Sequence, residues 1–271
     1  MLNLITRQML SGRMVLPANL ILHMAAAPAV IGQTAAERGR AIVEAAYSND
    51  SGYQDMMAQF TMVTRATNGR ERTWEMRIMV LEVLGDGDRT IVVFDGPPDL
   101  RGTALLTVAH RSRADQWLYL PAVRRAKRIV ATNTTESFMG SEFSYEDLGS
   151  QVLDDFRYRY IRNAQVGGRE AYVVERVPLN PSSGYSTQLV WFDEETYRTL
   201  RVEYYDRSDQ AIKMMTLSEY HQYVGRFWRP GRMVMVNHLT GAETTLRWRD
   251  YEFATGLTER DFDPRNLQHA G

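Results

Sequence analysis

Apolar and polar residues alternate along most of this chain with the two-residue period of half-buried β-strands. Phe60 and Met62 fall on one face of such a segment, and Thr61 and Val63 fall on the other. Trp74, Met76, Ile78 and Val80 mark one face of the next, opposed by Glu75 and Arg77. Gly85-Asp-Gly-Asp88 then supplies a hairpin turn, because glycine accepts the positive φ such turns need. A strand over 90–95 follows. The same reading predicts strands over 105–109, 116–120 and 123–130, then over 158–166, 170–177, 187–192, 200–205, 212–220, 232–239 and 244–253. Gly167-Gly168 reads as another hairpin turn and 180–184 as a loop.

The alternation breaks in three places. Thr34 followed by Glu37 has capping-box spacing, and Ile42, Val43, Ala46 and Tyr47 then share one helical face. The polar run 48–52 ends that helix. Residues 131–149 read as a crossing loop with a short helix. Thr258 followed by Asp261 opens a short C-terminal helix limited by Pro264. No compositional boundary divides 33–271, so one domain is expected there. Many antiparallel strands with tight turns and few helices predict a mainly β (α+β) fold, a sandwich or a barrel. A barrel of this kind can enclose a ligand.

Composition narrows the function. With 271 residues, 44% of them hydrophobic, a sizeable core is available. The formal net charge of -1 gives no global attraction to nucleic acid. Basic character is local, at Arg111, Arg113 and the run 124–128. The absence of cysteine excludes disulfides, a thiolate nucleophile and the lipid anchor of a bacterial lipoprotein. Arg7 and Arg13, the mostly apolar 14–30 and the small residues around Ala25–Ala29 read as a secretory signal, with Met14 as an alternative start. The competing reading of 1–32 is a short buried or disordered segment. No other stretch approaches the ~20 apolar residues of a membrane helix.

Signatures of catalysis are missing: G-x-S-x-G, H-E-x-x-H, the P-loop and G-x-G-x-x-G are all absent. The five histidines are scattered without metal spacing, so no metal or cofactor is expected. Glu142, Glu146 and Asp147 form an acidic cluster. It suits acid–base work or, the favoured reading, the first turn of a helix. Arg124, Arg125, Lys127 and Arg128 either pair with neighbouring acids or meet a phosphate or carboxylate head group at a cavity mouth. Phe138, Met139, Phe143 and Tyr145 crowd one loop, where large apolar groups cover a core or grip something apolar. The 14 methionines suit an adaptable apolar pocket.

Trp117-Leu-Tyr-Leu-Pro121, Arg124-Arg125 and Ser137-Phe-Met-Gly-Ser-Glu-Phe-Ser-Tyr-Glu-Asp-Leu148 together resemble a bacterial family, the outer-membrane lipoprotein-sorting proteins, which are similar in fold to the LolA/LolB carriers. The resemblance extends over about 33–266. It implies a strongly curved antiparallel sheet, an unclosed β-barrel covered by helices. It also implies a periplasmic carrier of lipids or lipid-modified proteins, some members working beside inner-membrane lipid exporters.

Pattern and resemblance together lead to a periplasmic carrier that binds a lipid, or the acyl chains of a lipoprotein, in an apolar cavity and touches membranes only transiently. The expected cavity residues are Phe60, Met62, Trp74, Met76, Ile78, Phe94, Trp117, Tyr119, Phe138, Met139 and Phe143. Arg125 and Lys127 are the expected head-group contacts. The alternation defines two strand faces and leaves open which one is concave. The alternative is an envelope interaction module that partners an inner-membrane exporter without an internal ligand. An enzyme working through Glu142 and a histidine ranks last, because no nucleophile, base and orienting group assemble.

Overall fold

Thr34 and Glu37 start the first element as their spacing predicts. The Thr34 hydroxyl accepts from the Glu37 amide at 3.2 Å, and the Glu37 carboxylate accepts from the Thr34 amide at 2.8 Å. Helix α1 (Ala35–Asp50) follows. The computed structural model describes residues 33–110, 113–129, 135–149 and 152–270. The export segment expected at 1–32 and the basic Arg111 lie outside the described residues.

Thirteen strands form one antiparallel sheet. The first six are β1 (Asp55–Arg65), β2 (Glu71–Leu81), β3 (Arg89–Gly96), β4 (Ala104–His110), β5 (Arg113–Leu120) and β6 (Arg125–Ile129). The other seven are β7 (Phe156–Val166), β8 (Arg169–Pro178), β9 (Thr187–Asp193), β10 (Thr199–Tyr205), β11 (Ala211–Tyr223), β12 (Phe227–Asn237) and β13 (Glu243–Phe253). Their order across the sheet is β6-β5-β4-β3-β2-β1-β13-β12-β11-β10-β9-β8-β7. Two meanders are therefore joined where β1 pairs β13, and the sheet remains unclosed between β6 and β7.

Laid flat, this many strands at about 4.8 Å spacing would spread over roughly 58 Å. Yet Leu105 of β4, Phe60 of β1, Met235 of β12 and Tyr158 of β7 belong to one buried cluster, together with Ile42 of α1. Strands from both halves can converge this way only if the sheet curls. The concave face is thus the one carrying Phe60, Met62, Trp74 and Met76. On the convex face a second cluster joins Ile91, Val93, Leu106 and Tyr119 to Phe262 and Leu267. The C-terminal segment, two 3-10 turns at Glu259–Phe262 and Pro264–His269, covers that outer face.

Several strand boundaries differ from the sequence reading by up to five residues, and two of the differences have a local cause. The strand expected over 123–130 begins at Arg125, because Pro121–Val123 form a 3-10 turn and Arg124 takes a left-handed φ of 48°. The strand expected from 232 begins at Phe227 and runs through Pro230. Proline donates no ladder bond, and the partner strand adapts beside it. Glu219 takes a φ of 55° opposite Gly231, where a Cβ would come 2.9 Å from the Glu219 carbonyl oxygen.

Helix α1 lies so close to β7 that a Cβ on Gly39 would stand 2.5 Å from the Tyr160 nitrogen and 2.7 Å from the Arg159 carbonyl carbon. Neither backbone atom can swing aside. Gly39→Ala is therefore expected to push the helix off the sheet and cost about 1–3 kcal/mol, a fall of roughly 3–10 °C in thermal midpoint. An unchanged midpoint would mean that α1 does not dock here.

Candidate functional site

Directly opposed residues on neighbouring strands share a face of the sheet. Consecutive register pairs place Tyr158, Arg176, Gln188, Tyr204, Lys213 and Asn237 side by side from β7 to β12. One pair further along the strands the row reads Tyr160, Val174, Val190, Val202, Met215 and Met235. The concave face is thus apolar in its middle, with a polar row across one end.

Most of that row is engaged. The Tyr158 hydroxyl donates to the Leu153 carbonyl at 2.8 Å, and the Arg176 Nε donates to Gln188. Lys213 donates to the Asp147 carboxylate at 2.6 Å and to the Glu142 carbonyl at 3.1 Å. The Asn237 amide donates to the Glu142 carboxylate at 2.7 Å. Asp147 and Glu142 both belong to the segment 135–149, which lies between the two sheet edges in sequence.

That segment forms the cover. A bridge between Ser137 and Ser144 and a 2.7 Å bond from the Phe138 amide to the Phe143 carbonyl fold it into a tight loop. Phe138 and Phe143 are buried against the concave cluster, with the Phe138 ring 5.8 Å from Phe94 and 5.4 Å from Tyr145. The acidic cluster fastens it, and the cluster lies in turns and not in the first turn of a helix. Asp147 also accepts from the Tyr185 hydroxyl at 2.8 Å and the Ser144 amide at 2.7 Å. Glu146 accepts from the Ser183 hydroxyl at 2.5 Å and the Gly184 amide at 2.9 Å. The Glu142 amide donates to Thr244 of β13 at 2.9 Å. Burial, together with the Asp147 charge, pushes the Tyr185 hydroxyl far above the usual phenol range.

Beside the cover, where the two halves of the sheet face each other, lies a cavity of about 350 Å³. Ala109, Ala114 and Gln116 line it from β4 and β5, and Tyr145, Glu146 and Asp147 line it from the cover. Phe156, Arg176, Gln188, Tyr204 and Met215 line the opposite side. The Gln116 Oε1 atom in this wall is buried without a hydrogen-bond partner. A second cavity of about 570 Å³ opens at the C-terminal end of α1. Two of its cations are tied to neighbours, Arg229 paired with Asp50 and Arg226 donating to the Ser48 and Ser51 carbonyls, while Arg198, whose Nε has no hydrogen-bond partner among the described residues, lies 4.8 Å from the Tyr220 ring and 4.5 Å from the Trp228 ring. The smaller cavity, under the cover and continuous with the apolar face, is the better candidate site.

The expected site residues separate into three groups. Phe60, Met62, Trp74, Met76, Ile78, Phe94, Phe138, Met139 and Phe143 come together on the concave face, but packed against one another and the cover. Trp117 and Tyr119 lie on the convex face with the C-terminal segment, because β5 turns Gln116 and Leu118 inward instead. Arg125 and Lys127 are exposed on the edge strand β6. None of these residues lines either cavity. Sequence reasoning missed Arg176, Tyr204 and Lys213. Their signal was present as polar residues in phase with an apolar alternation, such as Tyr172, Val174, Arg176. Among the described residues no cluster of His, Asp or Glu side chains is arranged to hold a metal ion.

A family model described as "uncharacterized protein" matches residues 86–269. The fold is similar to a crystal structure from Vibrio parahaemolyticus named for an outer membrane lipoprotein-sorting protein domain. The two are 41% identical over 86% of this chain and 99% of that one, with a TM-score of 0.84. A DUF1329 family protein from Desulfovibrio piger is 25% identical over 85% of this chain and 98% of its own, with a TM-score of 0.80. A LolA superfamily protein from Nitrosomonas europaea, 21% identical over 83% and 97% of the two chains, shares the fold with a TM-score of 0.68. No curated protein matches the sequence.

The Lys213–Asp147 pair is a buried tie of the cover, with side chains only 9% and 2% exposed. Removing one partner leaves the other charge buried and unpaired. Lys213→Met is expected to lower stability by about 3 kcal/mol and to speed amide hydrogen exchange most within 137–148. Unchanged exchange in that segment would mean that other contacts hold the cover.

Proposed function

The chain belongs to the family of the Vibrio parahaemolyticus lipoprotein-sorting domain, and from that premise we propose that it is a periplasmic carrier of acyl chains, from a lipid or a lipoprotein. The observation that carries this reading is an apolar concave face whose cover is held by polar side-chain bonds and not by strand pairing. Such a cover can be released without dismantling the sheet. Lifting it would give a hydrocarbon tail access to Phe60, Met62, Trp74, Met76 and Phe94, with Phe138, Met139 and Phe143 moving away on the cover. Ile78 extends the same surface along β2.

The energetics favour an acyl chain as cargo. Each buried methylene contributes about 0.8 kcal/mol, so ten of them offer roughly 8 kcal/mol before the cost of opening. The cavity beside the cover is the entry that is already open. Arg125 and Lys127, exposed on β6, suit brief contact with an anionic bilayer during loading. The role is binding and exchange, with no bond made or broken.

Protein purified from a bacterial periplasm is expected to carry co-purifying lipid by mass spectrometry and to take up a fluorescent fatty acid. Ala114 faces the cavity from β5, so Ala114→Trp fills it from the wall. That variant is expected to lose about tenfold or more of the uptake, equivalent to the ~1.4 kcal/mol of one or two methylenes, with little change in thermal midpoint. A wild-type protein with neither bound lipid nor uptake would overturn the carrier, and capture of an inner-membrane exporter by that empty protein would establish the interaction module in its place.

A further inference from the structure

The polar row across the concave face leaves one guanidinium without an acid. Arg176 donates through Nε to Gln188, and its guanidinium carbon lies 5.0 Å from the Phe156 ring. Among the described residues no carboxylate comes within ion-pairing distance of it. Tyr204, its neighbour across β9, contacts Lys213 and Tyr185 through its ring, while its hydroxyl makes no hydrogen bond among the described residues. Both residues line the 350 Å³ cavity. Three acids share the cavity wall: Asp147 is committed to Lys213 and Tyr185, Glu146 to Ser183 and Gly184, and Asp155 forms no ion pair with Arg176. Burial presses the Arg176 pKa downward, against the weaker upward pull of Tyr204, Tyr158, Asp147 and Glu146.

A half-buried cation of this kind, facing a cavity, is costly unless something pairs with it. Its two terminal nitrogens form a planar fork that matches a carboxylate or phosphate. Phe156 and Met215 beside it supply apolar wall, which suits the first methylenes of a chain. We infer that this cavity is an amphiphile head-group site, in which the terminal nitrogens of Arg176 and the hydroxyl of Tyr204 receive the anionic head of a single-chain lipid. The inference rests on the carrier reading and adds to it the charge of the cargo. It also moves the head-group contact from the exposed β6 to the inner face of β8 and β10.

The test uses the full-length, delipidated protein and three probes with the same chain: palmitate, palmitoyl lysophosphatidate and hexadecanol. The wild type is expected to bind at least one anion about tenfold or more tightly than the alcohol. Preference for palmitate alone identifies a carboxylate head, and preference for lysophosphatidate alone identifies a phosphate. Arg176→Met is expected to erase the preference while leaving hexadecanol affinity within about twofold, and Arg176→Lys to restore part of it. Tyr204→Phe provides a second, milder variant, expected to weaken the anions about threefold to tenfold and the alcohol not at all. Equal affinity of the wild type for all three probes, or an anion preference that survives in Arg176→Met, would overturn the head-group site and leave the carrier standing. Failure of every probe to bind would overturn both.

Discussion

The pairing of β1 with β13 sets the topology on which everything else depends. Phe60 opposite Trp248 and Met62 opposite Leu246 join the first strand to the last in the middle of the sheet. The Phe60 and Trp248 rings stack at 4.3 Å, so the junction is also part of the inner cluster. Once the ends of the chain meet there, the free edges must be β6 and β7, which are neighbours in sequence. The segment that connects them has to pass from one edge of the curled sheet to the other. The cover is therefore a consequence of strand order, and its apolar residues need only face inward to seal the concave side.

Electrostatics divide that concave side into two parts. The interior rows are closed by shape and hydrophobic burial, which are non-directional and tolerate a guest that is equally apolar. The polar row is directional. Lys213 and Asn237 are claimed by Asp147 and Glu142 of the cover, whereas Arg176 and the Tyr204 hydroxyl face space. In a low-dielectric setting each bond of the first kind is strong, and each unmet donor of the second kind is costly. One end of the row thus fixes the cover in place, and the other end is the part open to the head-group site inferred above.

Much of the fold is legible in the sequence because strand alternation and turn chemistry act locally. The capping pair Thr34 and Glu37, the turn around Gly87 and the doublet Gly167-Gly168 all report geometry within a few residues. Legibility fails where the deciding neighbour is remote. Trp117 and Leu118 are both large and apolar, so β5 alone cannot tell which of them faces the C-terminal segment. Pro230 argues against a strand until Glu219 on the partner strand is known to bend. The acidic cluster has the spacing of a helix start, but its partners Ser183, Lys213 and Asn237 are 37, 66 and 95 residues away in sequence. Arg176 is noticeable by its phase. Only the assembled row shows that no acid among the described residues pairs with it.

A sheet that does not close keeps two strands whose outer peptide groups could template the growth of a neighbouring molecule. The two edges differ in how they discourage this. Helix α1 is pressed against the backbone of β7 at Gly39, which puts bulk in the way of an approaching chain. At the opposite border, β6 is only five residues long and carries Arg125, Lys127 and Arg128, so a second copy would bring like charges together. An open architecture with oily surface beneath a side-chain-held cover thus carries its own protection against polymerising.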